Sequence, residues 1–121
     1  MKLNVLKVLS IGNANVDGDE TIINPPENVA FCEMYINMSH DEIASAETSA
    51  VFVRRKRLNT YGEEDIVGSY IATLQDGIIA NTVFNTNKFV FDINSSEQIR
   101  VTVQRAFSIY FNVQFVFYGV S

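Results

Sequence analysis

Four cations stand together in Phe-Val-Arg-Arg-Lys-Arg, residues 52 to 57, and they are four of the nine Lys and Arg residues in the chain. Such a run can grip phosphate, carboxylate or an acidic protein surface. On a strand, successive residues face opposite ways, so Arg54 and Lys56 share one face while Arg55 and Arg57 share the other. The run leads into Asn59-Thr60-Tyr61-Gly62, which has turn chemistry, and then into Glu63-Glu64-Asp65. A hairpin centred on Thr60-Tyr61 sets Arg57 against Glu64 and Lys56 against Asp65, opposite-charge pairs worth roughly 0.2–1 kcal/mol each. The same register leaves Arg54 opposite Val67 and Arg55 opposite Ile66. Arg54 and Arg55, with Tyr61 at the tip, are therefore the candidates for contact with another protein.

A second stretch offers oxygen ligands. Asn13, Asn15, Asp17 and Asp19 alternate around Gly18, the spacing with which a calcium loop begins to wrap a cation. The twelfth position is Asn24 rather than a bidentate Glu, and no helices flank the loop, so an ordinary β-turn at Asp17-Gly18 is the competing reading. The only histidine, His40, is followed directly by Asp41 and Glu42. Adjacent residues do not form a triad, whose members must converge from separate places. The one cysteine, Cys32, lies in an apolar run and reads as a small buried hydrophobe. The six glycines are scattered at turns, with no phosphate-cradling loop among them. No catalytic set emerges, no cofactor is indicated beyond the calcium alternative, and a non-enzymatic protein is expected.

The elements that must carry these residues repeat at two rather than at 3.6. In residues 107 to 118 the odd positions Phe107, Ile109, Phe111, Val113, Phe115 and Phe117 are all apolar, while Tyr110, Asn112 and Gln114 make a wetter face. Leu3 to Leu9, Val29 to Met38, Val51 to Leu58, Ile66 to Leu74, Ile78 to Phe84, Lys88 to Ile93 and Gln98 to Gln104 read as strands too. A short strand at Thr21 to Ile23 ends at Pro25-Pro26. Asp76-Gly77 predicts a hairpin between Leu74 and Ile78, and Asn85-Thr86-Asn87 a break between the next two strands. Residues 39 to 47 predict one or two helical turns, with Ser39 and Glu42 as a capping box. The prediction is one all-β domain over 1–121: an antiparallel sandwich of about eight strands, jelly-roll-like, with a helical excursion near 39–47.

Composition narrows function by class. A hydrophobic share of 47% is that of a globular protein. The net charge of −5 argues against a general nucleic-acid binder. No window approaches the ~20 apolar residues of a membrane helix. The first residues are too polar for a signal peptide, and the sequons at Asn37 and Asn94 read as chance, so a cytoplasmic setting is expected. The terminal strand, about 40 Å long at ~3.3 Å per residue, is long for a small domain. Either a bend breaks it or part of it pairs with another chain, and with Phe115, Phe117 and Tyr118 near its end an oligomer is expected. Eight-stranded sandwiches and jelly rolls build virion shells, spikes and tail accessories, so by fold-level analogy a virion component assembled from like subunits is the expected function. The alternative is a ligand-binding sandwich, such as a carbohydrate-binding module using Tyr110, Asn112 and Gln114, with calcium in the 13–19 loop.

Overall fold

A computed structural model describes residues 2–12, 20–40, 48–75, 83–104 and 110–120. It holds eight strands: β1 Leu3–Gly12, β2 Glu20–Ile23, β3 Phe31–His40, β4 Thr48–Leu58, β5 Glu64–Gln75, β6 Val83–Asp92, β7 Glu97–Gln104 and β8 Tyr110–Val120. They form two antiparallel sheets of four, ordered β1-β8-β3-β6 and β2-β7-β4-β5. The pairing is nested. β4 joins β5, β3 joins β6, β2 joins β7 and β1 joins β8, as if one long hairpin had been folded over on itself. Two further pairings, β3 with β8 and β4 with β7, complete the two sheets of a β-sandwich.

Alternation explains which face each strand buries. Cys32, Met34, Ile36 and Met38 on β3 point inward with Phe111, Val113, Phe115 and Phe117 on β8. Across the sandwich they meet Val51 and Val53 of β4 and Ile99, Val101 and Val103 of β7. Each such Val, Ile, Phe or Met contributes roughly 1.5–3 kcal/mol on burial. Cys32 is part of this layer, and desolvation pushes its thiol up to about 12, so it stays protonated and unreactive at neutral pH.

Four expectations are corrected. Ser39 and His40 belong to β3, where Ser39 pairs with Phe84 and Tyr110, so they start no helix; residues 41–47 lie outside the described residues. Asn85-Thr86-Asn87 does not break a strand, because pairing to Asn37 and its neighbours on β3 carries β6 straight through it. β5 and β6 lie in different sheets; the hairpin expected at Asp76-Gly77, between Leu74 and Ile78, falls outside the described residues. β8 does not project to another chain: β1 and β3 flank it on both sides, and it is a central strand. The β4–β5 register slips by a residue. Arg57 faces Asp65 and Lys56 faces Ile66, and after a bulge Arg55 faces Gly68 and Arg54 faces Ser69.

Gly68 sits where the Arg55 side chain crosses β5. A Cβ on Gly68 would lie 2.6 Å from Arg55 Nε and 2.8 Å from its Nη2. A side chain at position 68 would make the guanidinium shift from this path. The turn between β4 and β5 is held by Asn59, whose side-chain oxygen accepts from Tyr61 N at 2.9 Å and Glu63 N at 3.0 Å. Gly62 supplies the left-handed residue, at φ 80°.

Candidate interaction surfaces

Three places hold the polar and aromatic groups that could do work: the ion pair inside the sandwich and the outer faces of the two sheets. Inside, Arg55 and Glu97 project inward from paired strands. Arg55 Nη1 donates to Glu97 Oε1 at 3.0 Å and to the Asp92 carbonyl at 2.6 Å, and Nη2 donates to the Val67 carbonyl at 3.3 Å. The guanidinium lies 5.0 Å from the centre of the Phe91 ring and 6.0 Å from that of Tyr70, rings stacked on each other at 4.7 Å. The second Glu97 oxygen accepts from Asn94 N at 3.0 Å. Side-chain exposure is 14% for Arg55 and 4% for Glu97. Arg55, expected at an interface, is thus a structural staple. It fixes the turn between β6 and β7, which crosses from one sheet to the other.

The outer face of the second sheet carries Arg54, Lys56 and Arg100. Arg54 and Arg100 are direct cross-strand partners, an unfavourable juxtaposition of like charge. It is offset by Glu64, which bonds Arg100 and lies 3.7 Å from Lys56, and by Glu20, 3.3 Å from Arg100. Arg54 lies 5.6 Å from the centre of the Phe52 ring. Among the described residues no carboxylate comes within ion-pair distance of it. Ile22, Leu58, Ile66 and Ile71 are exposed beside these charges, and Tyr61 at the hairpin tip is 86% exposed. A cleft of about 230 Å³ opens between Lys56, Arg57, Leu58, Glu64, Ser96 and Gln98.

The outer face of the first sheet is built from the alternate residues of β1, β8, β3 and β6. Its centre is an ionic and aromatic cluster: Tyr35 donates to Glu33 at 2.6 Å, and Lys88 Nζ lies 3.7 Å from the same carboxylate and 5.6 Å from the centre of the Tyr35 ring. Tyr118 stacks on Phe31 at 4.7 Å beside this cluster. Hydrogen bonding from Tyr35 is the main force holding the Glu33 carboxyl below its usual range. That bond to the anion raises Tyr35, whereas desolvation is the leading cause for Tyr118. Around the cluster, Leu3, Val5, Val8, Val90 and Val120 are exposed.

A pH effect follows with a definite sign. A depressed Glu33 stabilises the fold above the ordinary carboxyl range and loses that contribution as pH falls through its folded value. The raised tyrosines act at the other end, losing theirs as pH climbs above the ordinary phenol range. Glu33→Gln is expected to flatten the acid limb of the melting-temperature profile and leave the region near neutrality unchanged in slope. An unaltered acid limb in the variant would remove Glu33 from the account.

Tyr110 and Asn112 are exposed on this face and Gln114 is half-buried there, in register with Ser39, Asn37 and Tyr35 on β3. Asn37, Met38, Ser39, Tyr110, Phe111 and Asn112 line a depression of about 150 Å³. Phe115 and Phe117 are fully buried on the opposite, inward side of β8, so the chain itself covers them. Tyr118, next to them in sequence, belongs to the outer face. Asn13, Asn15, Asp17 and Asp19 lie outside the described residues. Among the described residues no three His, Cys, Asp or Glu side chains converge as metal ligands.

Sequence reasoning missed Glu33, Tyr35, Lys88 and Glu97. The signal for the first two was present: odd positions of 31 to 37 read Phe, Glu, Tyr, Asn, the wet face of a strand chosen for its apolar side. Lys88 and Glu97 required knowledge of strand order. No protein-family model matches the chain, and no curated protein sequence does.

Proposed function

We propose that the chain is a jelly roll acting as a non-enzymatic assembly protein, a component of a virion shell, spike or tail that works through subunit–subunit contacts. The nested pairing carries this reading, since eight strands wrapped as a folded-over hairpin into two sheets of four are the arrangement of double-sheet jelly rolls, which recur in viral capsids. The step from fold to function is analogy. Physical support comes from the surface, where both sheets leave aliphatic side chains in water on their outer faces. Arg54 and Tyr61 remain candidate contact residues at the β4–β5 hairpin, facing other structural proteins or further copies of the chain. Assembly in a host cytoplasm belongs to the same proposal.

Light scattering across a concentration series tests it directly. A mass that rises with concentration, or discrete particles under the electron microscope, is the expected result. A monomer at every concentration, with no association to other structural proteins, would sink it. The Tyr110–Asn112 depression favours one second reading, a sugar-binding sandwich, because it sets an aromatic ring beside amide side chains. Chemical-shift changes confined to those residues on adding oligosaccharide would promote that reading.

A further inference from the structure

We infer that the outer face of the first sheet, β1-β8-β3-β6, is where a second copy of this chain packs, face to face across a two-fold axis. The inference rests on the assembly reading above and specifies its surface.

Three observations carry it. The first is the apolar content of the face. Leu3, Val5 and Val8 of β1 are 57%, 57% and 54% exposed, and Val90 of β6 is 59% exposed. The β1–β8 register sets Leu3 beside Val120, Val5 beside Tyr118 and Val8 beside Val116, so these residues form one continuous stripe that the Phe31–Tyr118 stack extends onto β3. Such a stripe gains about 25 cal/mol for each Å² removed from water.

The second is charge. The strands of this sheet hold Lys7 and Lys88 against Glu33 and Asp92, a net of zero with His40 neutral. Glu33 and Lys88 neutralise each other within the face, at 3.7 Å. The strands of the other sheet hold five cations and four acids, whereas the rest of the chain holds two cations and eight acids. The surplus negative charge therefore resides in the segments that join the strands. A contact through those segments brings acid to acid. A contact through this sheet face does not, and like-charge juxtaposition is a strong selector among docking modes.

The third is size. Strands of 10, 10, 10 and 11 residues make the face. At about 4.8 Å between strands and about 3.3 Å per residue they span roughly 600 Å² as a flat projection. Two copies then bury roughly 1,200 Å², the lower end of the range for stable, specific interfaces. Sheets stacked in this way sit about 10 Å apart with strands nearly aligned. Tyr110, Asn112 and Gln114 supply a polar margin on the same face, as interface rims require.

Sedimentation velocity on the full chain and on Val8→Asp, Val90→Asp and Ile71→Asp tests this, with circular dichroism and melting temperature confirming that each variant folds. All three positions are solvent-exposed, so the substitutions spare the core. The expected result is a wild-type dimer that each of Val8→Asp and Val90→Asp weakens by roughly 100-fold or more, since a carboxylate is then desolvated on both sides of the axis. Ile71→Asp, on the other sheet, should leave the dimer intact. Added salt should tighten the dimer by screening the acidic joining segments. A dimer indifferent to both valine substitutions overturns the inference and leaves the assembly reading standing. Dissociation by Ile71→Asp alone overturns it by moving the interface to the second sheet. A wild-type monomer throughout overturns the inference together with self-association.

Discussion

Truncating Glu97 to alanine is expected to cost about 3–5 kcal/mol of folding stability, because it strands the Arg55 guanidinium inside the sandwich without its anion. For a domain whose whole stability is about 5–15 kcal/mol, that loss brings the chain near its unfolding threshold. The effect is not simply that of one deleted hydrogen bond. Glu97 also holds Asn94 N, so the β6–β7 turn loses its anchor as well. Replacing both partners by apolar residues, as in Arg55→Met with Glu97→Leu, should recover most of the loss, since no charge is then left buried. Urea unfolding of Arg55→Met, Glu97→Leu and the double variant makes a cycle whose coupling term isolates the pair. A loss below ~1 kcal/mol for Glu97→Ala would mean that water reaches the pair, contrary to its burial.

Phe115→Ala should be comparably severe, at about 3–5 kcal/mol, for a different reason. Phe115 is fully buried, paired across β8 with Met34 on one side and Leu9 on the other, and its ring is stacked near Phe117 at 6.0 Å. Removing it opens a cavity in the layer that joins the sheets. The loss should not depend on protein concentration, because the ring is covered by its own chain. Val90→Ala, on the outer face of the same sheet, should stay within about 0.5 kcal/mol in the single chain. A Phe115→Ala penalty that vanished on dilution would restore Phe115 to an interface and contradict the packing described here.

These two sites show where sequence pattern is informative. Period-two alternation identified nearly every strand, because a residue buried between sheets must be apolar whatever its partner. It also gave the wet face of β8 correctly, at Tyr110, Asn112 and Gln114. It could not tell a face buried by its own fold from one buried by a neighbour, so Phe115 and Phe117 were assigned to an interface. Local turn chemistry misled where long-range pairing outweighed it. Asn85-Thr86-Asn87 has the composition of a turn, yet β3 supplies its backbone partners along the whole stretch. Arg55 was the hardest case. Its ion-pair partner lies 42 residues away, and its side chain crosses β5 at Gly68, which alone on β5 reads as nothing more than a weak strand position.

The nested pairing has a consequence in time. β4 and β5 are joined by five residues and can zip as a local hairpin, whereas β1 and β8 close a loop of nearly the whole chain. Loop-closure entropy must be met before each outer pair is rewarded, so the inner pairs form first and each shortens the search for the next. Strand pairing is then expected to spread from residue 60 outward in both directions. β1, the strand carrying Leu3, Val5 and Val8, is locked in with the last pair to close. Until that moment β8 has an open edge where β1 will sit, and the incomplete chain is most exposed to wrong strand pairing.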